Sequence, residues 1–447
     1  MASAAEQLAA NLNFGAFAKA TELKKRIWFT LGALIVYRLG TYIPLPGIDP
    51  IAIQDIFDQQ AGGILGMFNM FAGGALGRMT IFALNIMPYI SASIIVQLMT
   101  AVVPSLEALK KEGETGRKKI NQYTRYLTVL ITAGQAYGLA VGLEGMQSSA
   151  GNAVLDPGLF FRFTTVVTLV GGTVFLMWLG EQITARGIGN GISLIIFAGI
   201  VAGLPRALAA TLELGRTGAL ATGVIIAFLI AAVAIVFFVV FVERAQRRII
   251  VQYPKRQIGT RVAGGESSHI PLKINTSGVI PPIFASSILL MPITIIGFAA
   301  GSGPEWLTTV SAYLGRGQPL YLAIYISLIV FFAFFYTAIV FNPADTADNL
   351  KKHGGFIPGI RPGRNTAEYL DRVLTRLTVV GAAYLSLVCI LPELLISRFS
   401  VPFYFGGTSL LIVITVTMDT VAQIQSHLLA HQYEGLIKKA KLRGRRR

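Results

Sequence analysis

The sequence predicts an all-α polytopic membrane protein with ten transmembrane helices. Three features predict it: the composition, a series of apolar runs of bilayer length, and the one-sided placement of basic residues. The 447-residue chain is 53% hydrophobic and 13% charged, whereas soluble proteins average about 25% charged. A soluble fold of this size could not cover so much apolar surface with so few charges. Crossing a bilayer core takes about 20 mostly apolar residues per helix. Ten segments meet that demand: 27–43, 80–103, 126–143, 163–180, 192–210, 219–242, 279–300, 319–341, 377–396 and 404–424. The last opens on a Gly-rich VPFYFGG and has the weakest start.

Of the 38 Lys and Arg residues, 31 fall on one side of these spans and six on the other, with Arg38 inside the first span. The positive-inside rule then puts both termini in the cytoplasm and requires an even number of spans. The same asymmetry explains most of the net charge of +16, so the basic balance does not call for a nucleic-acid partner.

Residues 1–26 read as a polar or amphipathic cytoplasmic arm. The apolar run after it ends at Pro44 and Pro46 without a small-x-small pattern, so no cleavable signal is expected. Spans one to five make a first half, 27–210. Ahead of span two, AGGILGMFNMFAGGALG (61–77) is apolar, holds six glycines and is too short to cross alone. It reads either as a re-entrant half-helix, allowed only where protein or a water-filled cavity covers its backbone, or as an ordinary apolar loop. Spans six to ten make a second half, 219–424, with cytoplasmic loops at 243–276 and 342–376. Connections in compact domains are much shorter, so both loops are candidates for function. In the first, RRIIVQY (247–253) and HIPLKIN (269–275) flank a tip containing Pro254, Lys255, Arg256, Gly259, Gly264 and Gly265, the pattern of a projecting hairpin. Residues 425–447 form a basic cytoplasmic tail.

The motifs of enzymes are missing. The chain contains no Gly-Lys dipeptide and hence no P-loop, and it contains neither HExxH nor GxSxG. Cys389, the single cysteine, sits in an apolar run and reads as packing. His427 and His431 share a helical face that could hold zinc, but neither a cysteine nor a third histidine stands near, and a solvated helix explains them. No metal, cofactor or catalytic residue is expected. Ionisable groups at mid-depth would mark an ion relay. Arg38, Arg376, Glu393 and Asp419 all fall toward span ends. A small-solute transporter, the alternative to a passive pore, would need Glu393 or Asp419 at mid-membrane.

Seven strings carry a resemblance to a known family. They are FNMFAGGALGRMTIFALNIMPYISASIIVQLM (68–99), KEGETGRKKINQYTRY (111–126), GEQITARGIGNGISLIIFAGIVAGLP (180–205), ERAQRRI (243–249), GVIPPIFASSI (278–288), FNPADTADNLKKHGGFIPGIRPG (341–363) and PFYFGGTSLLI (402–412). In this order they resemble the SecY family, the pore subunits of the bacterial protein-conducting channel, and the likeness runs from Lys24 to about Lys439. The resemblance implies two inverted five-helix halves, a re-entrant plug helix and a path that opens sideways to lipid between spans two and seven. It implies a multi-pass protein of the bacterial plasma membrane that conducts unfolded secretory polypeptides and releases hydrophobic segments sideways. The implied partners are SecE and SecG, the ATPase SecA, the ribosome, secretory preproteins with signal sequences, and membrane lipid.

Site residues follow from the same resemblance. The constriction maps to Ile86, Ile90, Ile192, Ile196, Ile283 and Ile412. Aliphatic side chains offer an ion no ligand, dewet when empty and yield to a passing chain. Ile86/Ile90 and Ile192/Ile196 are each four apart and share a helical face. Isoleucine abounds in membrane helices, so lipid contact or packing accounts for any one of them singly. The plug covers about 62–77 and includes Phe68, Asn69, Met70, Phe71, Gly73 and Gly74. Asn85 departs from the small residue expected there; it would loosen the closed state, bond to the plug or face a neighbouring helix. Docking of SecA and the ribosome maps to Arg244, Arg247, Arg248, Lys255, Arg256 and Arg361. Orientation alone would also place such charges in these loops.

Overall fold

The computed structural model describes residues 20–59, 69, 72–148, 151–217, 222–253, 256–258, 261–263, 267–299, 313, 318–399 and 407–444. The chain divides into two compact units, Met1–Leu208 with Pro292–Ser311 and Val416–Arg447, and Ala209–Met291 with Ala312–Thr415. The first unit thus takes in two segments from later in the chain.

The first unit holds α1 (Thr21–Gly40), α2 (Pro50–Gln59), α3 (Met87–Val102), α4 (Pro104–Lys111), α5 (Glu114–Glu144), the two-residue strands β1 (Gln147–Ser148) and β2 (Gly151–Asn152), α6 (Leu159–Arg186) and most of α7 (Gly191–Arg216). Pro104 breaks the second span: α4 leaves α3 at 97° because a proline cannot continue the helix ladder through its own position. Helices α5 and α6 pack side by side and are stapled at both ends. Arg125 clamps Glu181 with bonds of 3.1 and 2.6 Å, and Arg162 clamps Glu144 at 3.0 and 2.6 Å. All four residues flank the predicted apolar spans 126–143 and 163–180 rather than lying within them, where charge would be costly. On one face of α5, the buried hydroxyls of Thr124, Thr128 and Thr132 each donate to the carbonyl four residues earlier, at 3.0, 2.7 and 2.6 Å. That leaves no polar cost on a face made for close packing. A methyl added to Gly172 of α6 would lie 2.1 Å from the Ile81 carbonyl oxygen, so backbone touches backbone there.

The second unit holds α8 (Thr222–Arg244), the strands β3 (Gln246–Gln252), β4 (Arg256–Ile258), β5 (Arg261–Ala263) and β6 (Ser267–Lys273), α9 (Ile280–Ala299) as far as Met291, α10 (Pro319–Val340), α11 (Pro343–Lys352), α12 (Arg364–Phe399) and the start of α13 (Gly407–Gly444). Strands β3 and β6 pair antiparallel, from Gln246 opposite Lys273 to Gln252 opposite Ser267, and β4 pairs with β5 beyond them. This is the hairpin expected from RRIIVQY and HIPLKIN around their Pro- and Gly-containing tip. Gly407 packs against α12, where a Cβ would lie 2.2 Å from the Val388 carbonyl oxygen. Cys389 is buried at that contact, in keeping with a packing role.

Each of the ten predicted spans is overlain by a helix among the described residues. Seven helices are long and apolar enough to cross a membrane, eight when the bent α3–α4 pair counts as one. The boundaries differ where polar residues extend a helix past the bilayer. Helix α12 spans 36 residues, roughly 54 Å at 1.5 Å per residue, against a hydrocarbon core of about 30 Å. Its first turns stand outside any such core and become part of the structured loops.

Candidate functional site

The segment before α3 combines close backbone contacts with a few side-chain hydrogen bonds. Gly73 and Gly74 adopt φ of +65° and +81°, a region that a Cβ disfavours. At Gly73 a Cβ would also lie 2.8 Å from the Gly199 Cα on α7. Glycine is thus required there twice, for the turn and for the contact. Asn69 holds the turn together: its carbonyl accepts from the Gly74 N–H at 2.8 Å and its Oδ1 from the Gly77 N–H at 2.6 Å. From the other side α1 grips it. Arg38 Nη1 donates to the Gly73 carbonyl at 2.7 Å, and the Leu45 and Ile81 N–H groups donate to Met79 and Ile43 carbonyls at 2.9 and 3.0 Å. Phe68, Met70 and Phe71 of the expected plug lie outside the described residues.

The predicted start of the second span at residue 80 is corrected by the structure: α3 begins at Met87. Met79 and Asn85 have φ of +43° and +49°, so residues 72–86 are a string of turns. Pro88 in the first turn of α3 marks the true start. Asn85 is buried, and its amide reaches the Tyr37 hydroxyl on α1 at 3.5 Å, at the long end of hydrogen bonding. This contact faces a neighbouring helix, one of the arrangements expected for it. Asparagine tolerates the left-handed region and β-branched residues do not. Asn85→Gly is therefore expected to keep a melting temperature close to that of the parent in detergent. Asn85→Val is expected to lose roughly 1–2 kcal/mol or more. Equal melting of the two variants would remove this account of the position.

Four of the isoleucines belong to the first unit. Ile86, Ile90 and Ile196 are buried and Ile192 half-buried. Ile86 caps α3, and its carbonyl accepts from the Ile90 N–H at 3.2 Å, so the two remain one turn apart despite the late helix start. On α7, Gly199, against which the glycine turn rests, follows Ile196 by a single turn. The structure thus brings the 72–78 turn to the helix carrying Ile196 and, through Tyr37 and Asn85, next to Ile86. In the second unit Ile283 is half-buried on α9, its carbonyl accepting from the Ser286 and Ser287 hydroxyls at 3.0 and 2.8 Å. Ile412 is buried on α13, one turn from Thr408, which bonds Tyr325 of α10.

The two long loops share one small core, which the sequence reading did not anticipate. Ile249, Val251 and Leu272 of the hairpin pack with Ile357 and with Leu370, Val373 and Leu374 of α12. Gln252 and Phe356 exchange two backbone bonds of 2.9 Å each, tying the loops edge to edge. At the base, Glu243 is buried and accepts from the Asn275 amide at 2.7 Å. Arg244, Arg247, Arg248 and Arg361 are exposed on this platform. Lys255 lies outside the described residues, as does the side chain of Arg256. No group of three or more His, Cys, Asp or Glu able to hold a metal occurs among the described residues.

Comparison with known proteins identifies the assembly of parts. The SecY family model matches residues 80–421. The protein translocase subunit SecY of Escherichia coli (strain K12) is 59% identical over 424 residues, covering 95% of this chain and 96% of that one. A solved protein conducting channel superposes with a TM-score of 0.63 at 18% identity, covering 91% of this chain and 92% of the other. Sec61 in the canine ribosome-channel complex from the endoplasmic reticulum superposes with a TM-score of 0.59 at 18% identity over the same shares. The chain belongs to the SecY family.

Proposed function

We propose that this SecY-family chain is the central channel subunit of a Sec translocon, a passive route for unfolded secretory polypeptides and not an enzyme. Its likeness to a protein translocase subunit across 95% of its length carries this reading. In it, the six isoleucines form a greasy constriction, the 62–77 segment plugs it at rest, and hydrophobic segments leave sideways between spans two and seven. The cytoplasmic termini are inferred from the one-sided basic residues, and the bacterial plasma membrane from the bacterial relative.

The platform of exposed arginines supports docking of a motor or of ribosomal RNA, because Lys and Arg neutralise phosphates in a salt-dependent way. One fold neighbour is a ribosome-bound channel. A folded platform supports docking better than topology alone does, since topology needs only a few charges near helix ends. SecA would supply the energy that the chain itself has no motif to extract from nucleotide, and SecE and SecG would complete the membrane complex. Reconstitution with SecE and SecA should make a preprotein protease-protected only when ATP is present. A preprotein left digestible under those conditions, with folded protein in the vesicles, would refute the reading.

A further inference from the structure

Arg38 stands out because, among the described residues, its charge has no acidic partner. Its hydrogen bonds among the described residues go to the Gly73 carbonyl at 2.7 Å and the Tyr42 hydroxyl at 3.3 Å, while the centre of the Tyr42 ring lies 5.2 Å from its guanidinium carbon. A guanidinium on a membrane helix that takes no carboxylate needs another reason to be there. Arg38 follows Tyr37, whose hydroxyl lies 3.2 Å from where a Gly73 Cβ would stand and also meets Asn85. On the far side, Gly73 presses on Gly199 of α7. The glycine turn is therefore held between α7 and α1, and Arg38 makes the only side-chain bond from α1 to its backbone among the described residues.

We infer that Arg38 is a positioning residue that holds the plug in its resting place through the Gly73 carbonyl. This rests on reading 62–77 as the plug. A charge-assisted bond to a carbonyl is among the stronger ones available, and it is geometrically selective because the planar fork fixes the direction of donation. The Tyr42 hydroxyl and ring hold the guanidinium in that orientation. The guanidinium carbon of Arg78 also lies over the same ring, 4.1 Å from its centre. A bond of this kind can be broken by displacing one carbonyl without unpacking a helix, as suits a part that must leave when a chain arrives.

The test uses the full chain in its membrane complex, with two readouts on the same preparations. One is hydrogen exchange of the peptide covering 72–81; the other is resting ion leak in vesicles. Arg38→Met should raise exchange in that peptide and raise leak by about tenfold or more, the population shift expected when one charged hydrogen bond is lost. Arg38→Lys, a point charge without the fork, should fall between Arg38→Met and the parent. Tyr42→Phe, which keeps the ring but frees the guanidinium, should shift both readouts in the same direction by less. Unchanged exchange in Arg38→Met would overturn the anchor. Raised exchange with unchanged leak would leave the bond real but end the plug reading and this inference with it. Exchange raised equally in α1, α3 and α6 would also overturn it, since a general loss of packing does that.

Discussion

Replacing Ile192 and Ile196 together with glycine is expected to raise the resting ion conductance of reconstituted vesicles, and replacing Ile86 and Ile90 should do the same. An ion passing a ring of aliphatic side chains finds nothing to substitute for its water. Each roughly 1.4 kcal/mol removed from such a barrier multiplies the flux about tenfold. Trimming two facing side chains to hydrogen lets water in, so an increase of tenfold or more per pair is the expectation. The competing effect is loss of fold: a buried isoleucine cut to alanine costs about 2–5 kcal/mol, and glycine within a helix roughly 1 kcal/mol more. The α7 pair is the safer test because Ile192 is only half-buried, so less packing is forfeited. Leak is then read on preparations whose melting temperature confirms folding. Folded variants of both pairs with the conductance of the parent would end the assignment of these residues to the constriction.

Much of this architecture is legible in the sequence, and the failures have physical causes. Apolar runs announce all the long helices, because lipid punishes any other exposed backbone. Their ends are less legible. The run 377–396 reports only the greasy part of α12; its first turns carry Leu370, Val373, Leu374 and Leu377 at i, i+3, i+4 and i+7, an amphipathic stripe that faces the hairpin rather than lipid. That stripe was present in the sequence but reads as loop when only hydrophobicity is averaged. The start of α3 was misplaced for a different reason. MTIFAL is as apolar as a helix, and only the positive φ of Met79 and Asn85 reveals turns. The hairpin is legible because two strand-like runs flank a tip of Pro254, Gly259, Gly264 and Gly265. Arg38 shows the opposite limit: its acceptor is a backbone carbonyl, and every residue has one, so no sequence pattern could point to it.

Arg361→Ala is expected to cut SecA-driven translocation severely while leaving the protein's own stability and membrane insertion unchanged. The turn that carries it is fixed by its neighbours: Gly359 and Gly363 have φ of +81° and +107°, Pro362 restricts the backbone between them, and the Thr366 hydroxyl donates to the Arg361 carbonyl at 3.0 Å. That bond is to backbone and survives the substitution. The side chain itself is exposed and makes no ion pair among the described residues. Surface changes of this sort usually move stability by no more than about 0.5 kcal/mol, too little to perturb the core formed by Ile357 and Leu370. A large functional loss would therefore report a missing contact to a partner and not a damaged platform. Arg361→Lys separates charge from shape: a bidentate contact to carboxylate or phosphate needs the guanidinium fork, so lysine should rescue little if that is the contact, and most of the activity if only charge steers docking. ATP-dependent protection of a preprotein by the purified, reconstituted variant is the measurement, and a normal rate with Arg361→Ala would remove this residue from the docking surface.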